Sequence, residues 1–356
     1  MNMPPPWQAE VDDTLCCVQV REETHDVKTF VLEAPAARSF RYLPGQFITL
    51  ELPIGGSRVQ RCYTLSSTPT RPDRVSITVK RVPGGQVSNW LHDHLRAGDM
   101  LPAMGPAGEF SCFVQPAPAY LFVSGGSGVT PLISMSRALH DLASGADVLF
   151  VHCARTPADA LFTEELVLLA KNMPRFRFAL VCEQGAPGLH GAHAGRLHAG
   201  MLAEIAPDLL QRDVYTCGPA PFMAAVRALL RDAGYDMQRY REESFSFEAL
   251  ADAPAVAGPA SAAGANAGAA RFTIRLKGQG QSFDCAADER LLAAAQRAGL
   301  RLPSSCSQGL CGTCKTRKLA GEVQMQHRGG IRQREIDQGW ILPCCSTPLS
   351  DVVLDR

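Results

Sequence analysis

Three cysteines, Cys306, Cys311 and Cys314, lie on one glycine-rich stretch, and after 29 intervening residues the chain reads Cys344-Cys345. A loop that must aim several sulfurs at one point cannot also be a regular helix or strand, so this segment constrains the fold more than any other. The x4 and x2 spacing with a distant fourth thiol is that of a 2Fe–2S cluster loop. Soft thiolates suit it because they hold ferric and ferrous iron in one cage. Small neighbours (Ser304, Ser305, Gly309, Gly312, Thr313) let the backbone come close to the inorganic sulfides. Four cysteines can also bind zinc, but zinc sites favour two C-x-x-C pairs and only Cys311 and Cys314 form one. Spacing alone does not choose between Cys344 and Cys345.

Around these cysteines, Phe272-Thr-Ile-Arg-Leu and Gln281-Ser-Phe-Asp-Cys read as a hairpin, Glu289 to Ala298 as a helix and Asp351-Val-Val-Leu-Asp as a closing strand. Residues 271–356 as a whole resemble a plant-type ferredoxin domain, an α+β fold of the β-grasp type. In that family a ligand stands four residues before a proline. Here the proline is Pro348, so the resemblance implies Cys306, Cys311, Cys314 and Cys344 as metal ligands and Cys345 as a buried neighbour.

The rest of the 356 residues supports two more domains. Thirty-five basic and thirty-five acidic residues cancel, so no global field draws the chain to nucleic acid or to an anionic membrane. The remaining cysteines are scattered, most of them in apolar strands, and read as reduced core thiols. The start, Met-Asn-Met-Pro-Pro-Pro-Trp, has no basic or apolar leader, and no apolar run is long enough to span a bilayer, so the expected location is cytoplasmic. Short strands with Gly/Pro turns fill the first hundred residues and predict an antiparallel β-barrel over 10–113. From Ala119, continuous apolar strands alternate with helices, which predicts a parallel α/β sheet over 114–248. Residues 249–270, Ala/Gly/Pro-rich and without aromatics, read as a flexible linker spanning roughly 25 Å.

Two stretches in these domains carry chemistry. In Arg61-Cys-Tyr63-Thr64 a guanidinium, a ring and a hydroxyl can serve one flavin: Arg61 for a phosphate, Tyr63 for the ring face and Thr64 for the ring edge. A strand with one Arg and one Tyr is more often structural, but Pro44-Gly-Gln-Phe precedes it, Gly84-Gly85-Gln86-Val87-Ser88-Asn89 opens a helix after it, and Gly105-Pro-Ala-Gly108 ends the region. The second stretch, Gly125-Gly126-Ser127-Gly128-Val129-Thr130-Pro131, leaves a strand and opens a helix, where bare backbone can meet a pyrophosphate. Pro131 stands where the dinucleotide G-x-G-x-x-G motif has its third glycine.

Residues 10–248 resemble the flavin-plus-nucleotide module of the ferredoxin–NADP reductase superfamily. The resemblance assigns Arg61, Tyr63 and Thr64 to the flavin, with Val79 and Lys80 beside its side chain. It gives Gly85, Gln86, Val87 and Ser88 to a pyrophosphate, favouring FAD over FMN. Gly126, Gly128 and Thr130 go to the nicotinamide nucleotide, and Cys217 and Gly218, in Tyr-Thr-Cys217-Gly218-Pro, to the nicotinamide pocket. Thr64, Cys217, Glu243 and Phe245 then surround hydride transfer, Phe245 covering the flavin. Arg155 follows a strand where relatives bind the adenosine ribose. It could take the 2′-phosphate of NADPH, lie on adenine or pair with Asp159; with no Lys or Ser cluster beside it, the sequence leans to NADH.

Nicotinamide yields electrons as a pair and the cluster takes one, and flavin is the cofactor that converts between them. The domain order resembles the reductase components of Rieske monooxygenases that demethylate quaternary amines such as glycine betaine. It is also similar to reductases of hybrid-cluster proteins and of multicomponent aromatic or acyl-CoA oxygenases. The resemblance implies an NAD(P)H-dependent reductase with FAD, a 2Fe–2S cluster and a separate oxygenase or other redox protein as partner. A redox sensor or carrier without turnover is the alternative of another class, and the hydride-pocket residues argue against it. His92 and His94 read as exposed or capping residues, not metal ligands.

Overall fold

The structure, a computed structural model, describes residues 4–8, 11–185, 192–244, 270–278, 280–300, 302–304, 309, 312–327, 331 and 333–356, without the side chains of Ser57, Ser244 and Arg334. Phe245, Cys306, Cys311 and linker positions 249–269 lie outside the described residues. The chain divides into two compact units, Met1–Glu248 and Ala249–Arg356. Among the described residues no helix is long and apolar enough to cross a membrane.

The first unit opens with β1 (Thr14–Thr24), β2 (Val27–Glu33), β3 (Phe47–Ile54), β4 (Ser57–Thr64), β5 (Val75–Lys80), α1 (Gln86–His94) and β6 (Met100–Ala107). The strands pair antiparallel in the order β4-β3-β6-β1-β2-β5. A bridge from Leu65 to Ile77 and the Ser66 N–H donating to the Ser76 carbonyl join the two edge strands just beyond the end of β4, closing the sheet into a barrel there. Alternating side chains fill it: Leu15, Phe30, Leu32, Ile48, Leu50 and Ile77 are all inaccessible. The predicted strand at Arg61 begins earlier, at Ser57, because Gly55 and Gly56, both in the left-handed region, turn it back on β3. Strand β6 was not expected as an element, its Pro and Gly content masking the alternation.

The parallel sheet contains β7 (Ala119–Gly125), β8 (Asp147–Ala154), β9 (Phe176–Cys182), β10 (Ala192–Ala194), β11 (Asp213–Gly218) and β12 (Tyr240–Ser244) in the order β10-β9-β8-β7-β11-β12. Helices α2 (Val129–Asp141), α3 (Thr163–Asn172), α4 (Ala199–Ile205) and α5 (Ala220–Asp232) connect them. Two apolar clusters flank the sheet, one with Phe122, Phe150 and Leu132, the other with Leu121, Val151 and Val226. The chain builds outward from β7 to β10 and then returns to place β11 on the other side of β7. That reversal opens a crevice at the carboxyl ends of β7 and β11, where open α/β sheets bind ligands.

In the second unit, β13 (Arg271–Leu276), β14 (Gln281–Ala286), β15 (Thr316–Ala320), β17 (Trp340–Ile341) and β19 (Val352–Leu354) form a mixed sheet in the order β14-β13-β19-β15-β17. A smaller pair joins β16 (Val323–Met325) to β18 (Ser346–Pro348). Helix α6 (Leu291–Arg297) buries Leu291, Leu292, Ala294 and Ala295 in the same core as Ile274, Leu354 and Cys314, and a short α7 spans Gln333–Asp337.

All cysteines among the described residues are free thiols, most of them buried. Of the two histidines near α1's end, His94 is as expected and His92 is not. His94 is exposed and stacks on Trp90, whereas His92 is buried with Nε2 2.9 Å from the Val79 carbonyl. Its position on α1's inward face, beside Leu91, takes it into the barrel core.

Candidate functional site

The sheet reversal sets the nucleotide site. At the end of β7, Gly125 leads into a tight turn over Gly126–Gly128 and then α2. Gly126 has φ +52° and open space where a side chain would project. A Cβ on Gly128 would instead drive into the Cys217 carbonyl, and one on Gly218 would come within 2.8 Å of Phe222. The loops after β7 and β11 are thus packed backbone against backbone, leaving N–H groups at the crevice mouth. Thr130 is buried, its hydroxyl donating to the Ser127 carbonyl at 3.2 Å, so it closes the loop.

Next to this crevice three predicted residues from different strands converge. Cys217 on β11 lies opposite Glu243 on β12. Thr64 comes from the far end of barrel strand β4. Glu243 is half-buried as a residue, but its Oε2 is shut from solvent and has no hydrogen-bond partner among the described residues. The buried Thr64 hydroxyl likewise has none, although it is near enough to draw the Glu243 carboxyl downward against a larger effect of burial. Burial wins and pushes Glu243 up to about 8. Cys217 is inaccessible, and burial followed by the nearby carboxylate pushes its thiol well above the usual range. A carboxyl pushed toward its protonated form, a neutral thiol and a hydroxyl leave two buried polar atoms, Glu243 Oε2 and Thr64 Oγ1, with hydrogen-bonding capacity that a polar ring edge can satisfy.

Arg61 and Tyr63 are half-buried on β4, on the same side of that strand, and the Arg61 guanidinium donates to the Gln60 carbonyl at 2.8 Å. Helix α1 begins at Gln86, with Gly85 as its cap. Val87 and Ser88 are buried, and Ser88 Oγ accepts from the Val82 N–H and donates to the Gly85 carbonyl. That hydroxyl pins the loop, and the free N–H groups of the first helical turn are its outward donors.

Beside that turn a cavity of about 410 Å³ is lined by His25, Asp26, Lys80, Arg81, Pro83, Asn89 and Arg155. Lys80 pairs with Asp26 at 3.2 Å. Burial opposes ionisation of Asp26, but the Lys80 charge and hydrogen bond outweigh it and hold the carboxyl below its usual value. Arg155 is 62% exposed and approaches Asp159 at 3.7 Å and Asp26 at 3.9 Å, the pairing that was one of the three options for it. His25, Asp26 and Asp159 bring potential ligand atoms within 4.8 Å, but cations of the protein already meet those carboxylates. Sequence reasoning missed Asp26, Arg81 and Asn89 here. Lys80-Arg81 at a strand end was a visible signal, whereas Asp26 reaches the cavity only because β1 and β2 fold back on β5.

In the second unit Cys314 and Cys344 are buried in one apolar cluster, Cys314 just before β15 and Cys344 in a tight turn over Pro343–Cys345. Gly309 and Gly312 are both left-handed, at φ +73° and +72°. A Cβ on Gly309 would lie 2.6 Å from Cys345 Sγ. Cys345 donates its S–H to the Leu342 carbonyl at 3.5 Å.

Known proteins match this layout domain by domain. The models for an oxidoreductase FAD-binding domain, an oxidoreductase NAD-binding domain and a 2Fe-2S iron-sulfur cluster binding domain match residues 15–112, 122–228 and 274–349. The glycine betaine monooxygenase reductase subunit of Pseudomonas aeruginosa is 45% identical over 343 residues, 95% of this chain and 94% of that one. The stachydrine N-demethylase reductase subunit of Rhizobium meliloti is 40% identical, covering 96% of both chains. Phthalate dioxygenase reductase, described as a modular structure for electron transfer from pyridine nucleotides to 2Fe–2S, superposes with a TM-score of 0.60 at 25% identity, over 98% of this chain and all of that one.

Proposed function

Because this chain belongs to the ferredoxin–NADP reductase superfamily, in the branch with a C-terminal 2Fe–2S ferredoxin domain, we propose that it moves electrons from NAD(P)H through FAD and the cluster to a separate Rieske-type monooxygenase that demethylates a quaternary amine. The names of the two closely similar reductase subunits support that acceptor. We take the domains as 10–113, 114–248, a linker at 249–270, and 271–356, and the compartment as the cytoplasm. The observation that carries the enzymatic reading is the meeting of Thr64, Cys217 and Glu243 across two domains, because a protein that only bound nucleotide would not need a buried, protonated carboxyl there.

When bound, the flavin would supply conversion of the electron pair of one hydride into two single electrons. The rest falls to the chain. Arg61 and the first turn of α1 meet the flavin's phosphates, Val79 and Lys80 flank its side chain, and Tyr63 covers the ring. Thr64 satisfies its orphan hydroxyl on the ring edge. Gly126 and Gly128 admit the nicotinamide nucleotide's pyrophosphate, and Cys217 and Gly218 wall the nicotinamide. Phe245, one residue beyond β12, is positioned in sequence to cover the flavin. Glu243 holds a proton at Oε2 and excludes competing charge. Cys306, Cys311, Cys314 and Cys344 hold the cluster. For the nicotinamide we propose NADH: Arg155 shares its surroundings with the Asp26 and Asp159 carboxylates, which would repel a 2′-phosphate.

The test is an anaerobic titration with NADH and then NADPH, followed by visible absorbance and electron paramagnetic resonance. Bleaching of flavin together with a rhombic ferredoxin-type signal, reached at lower NADH than NADPH, is expected. A flavin that bleaches while the cluster stays oxidised would overturn the proposed route. In Cys311→Ser, reduction of cytochrome c should collapse while flavin reduction by NADH persists.

A further inference from the structure

Helix α2 carries a set of polar residues that no cofactor claims. Ser134, Arg137 and Asp141 recur at i, i+3 and i+7, which puts them on one face of the helix. All three reach across to a single stretch of the barrel domain, residues 66–71. Ser134 is inaccessible, and its Oγ donates to the Ser67 carbonyl at 2.5 Å. One turn on, Arg137 donates to the Ser66 carbonyl at 2.5 Å, while bonds of 2.7 and 2.6 Å fix its other nitrogens on Glu165. At the helix end Asp141 accepts from Thr70 Oγ1 at 2.5 Å and from the Arg71 guanidinium at 2.9 and 3.1 Å.

The barrel side of this seam is itself held. Ser67 Oγ accepts from the Ser76 N–H and bonds Tyr42, both at 2.9 Å. Met135, also inaccessible, presses on the turn before β3: Gly45 there has φ +96°, and a Cβ on it would come within 2.7 Å of the Met135 methyl. The next residue, Gln46, accepts the Leu65 N–H on its carbonyl at 2.9 Å, and Leu65 follows Thr64. At its other end α2 is capped by Gly128, which lies against the Cys217 carbonyl. One helix therefore touches both walls of the hydride pocket, that of Cys217 at its cap and that of Thr64 about 9 Å further along its axis, at Ser134.

We propose that α2 is a strut that sets the distance between the nicotinamide nucleotide and the flavin edge, and that Ser134 is the positioning residue that fixes it. This rests on the reading that the Gly126–Gly128 turn takes the nucleotide and Thr64 the flavin edge. Hydride transfer needs its reacting atoms about 3–3.5 Å apart, and a misplacement of about 1 Å costs up to about a hundredfold. Buried bonds can hold such a tolerance, and the exposed Arg71 pair at the far end of the seam adds less.

The holoprotein is mixed with NADH, or with NADH carrying deuterium at both C4 positions, and flavin bleaching is followed anaerobically by stopped flow over a range of temperatures. Wild type should show an isotope effect that changes little with temperature, because the approach distance is fixed. Ser134→Ala should lower the limiting rate about tenfold and make the isotope effect larger and steeply temperature-dependent, with flavin content and the half-saturating NADH concentration unchanged. Arg71→Asp, at an exposed site, should slow the limiting rate about threefold, and adding Asp141→Arg should restore most of it. Arg74→Asp breaks a comparably exposed ion pair, to Glu33 at 3.0 Å within the barrel, and should leave rate and isotope effect alone. A Ser134→Ala protein that melts lower but keeps the wild-type limiting rate and isotope effect would overturn the strut. Should Ser134→Ala not fold, the Arg71 and Asp141 pair decides: no loss in Arg71→Asp, or a loss that Asp141→Arg fails to restore, overturns it equally. Failure of the underlying reading looks different, because NADH would then leave the wild-type flavin oxidised.

Discussion

Replacing Glu243 by Gln should stabilise the protein, and the gain should depend on pH in a stated direction. Burial raises this carboxyl from 4.5 to about 8 in the folded state, with the Thr64 hydroxyl opposing weakly. The folded state therefore binds more protons than the unfolded chain between those two values, so stability is complete below about pH 4.5 and is lost as pH rises through 8. The full difference corresponds to about 5 kcal/mol, and water reaching a half-buried residue reduces it to about 2–4 kcal/mol. Glutamine keeps the shape and a hydrogen-bonding capacity without the charge. In flavin-depleted protein, Glu243→Gln should melt within about 1 °C of wild type at pH 5 and about 5–10 °C higher at pH 8.5, by scanning calorimetry. Flavin reduction by NADH should slow at least about tenfold in the same variant, the trade expected of a residue kept for chemistry at the expense of stability. A melting difference of equal size at pH 5 and 8.5 would refute the reasoning, because it would show that packing, not the buried proton, distinguishes the two side chains.

Three further outcomes follow from particular contacts. His152 is fully buried, with Nδ1 2.7 Å from Ser124 Oγ and Nε2 accepting from the Leu161 N–H, and burial lowers it to about 4. Its contribution is present above pH 6.5 and lost as pH falls toward 4, about 3 kcal/mol in all, so His152→Gln should flatten the acid limb of a stability profile measured in urea. Cys344→Ser should abolish the cluster's visible bands while Cys345→Ser keeps them; retention in the first variant would reverse the ligand assignment. Arg137→Ala, which loses paired bonds to Glu165 and one to the Ser66 carbonyl, should slow flavin reduction in stopped flow while leaving flavin content unchanged, because that carbonyl lies two residues beyond Thr64.

What the sequence could reveal divides according to whether a function is written in one segment or assembled from several. The cysteine loop, the glycine turn after β7 and the Arg61-to-Thr64 strand are local, since each chemistry needs its residue types at fixed spacing, and fold and cofactors followed from them. The cavity beside α1 is not local: Asp26, Lys80 and Arg155 become neighbours only through barrel closure and the docking of barrel on sheet. The same holds for the contacts that seat one domain on the other. Ser134 Oγ donates to the Ser67 carbonyl at 2.5 Å, and Arg71 grips Asp141 with two bonds of 2.9 and 3.1 Å. Ser, Arg and Asp on a loop and a helix read as ordinary surface residues until the partner is known. Yet these bonds tie the segment that follows β4, and with it Thr64's strand, to helix α2 of the other domain. The pocket's residue identities are thus legible one strand at a time, while the precision with which they meet comes from polar residues whose purpose only the tertiary structure displays.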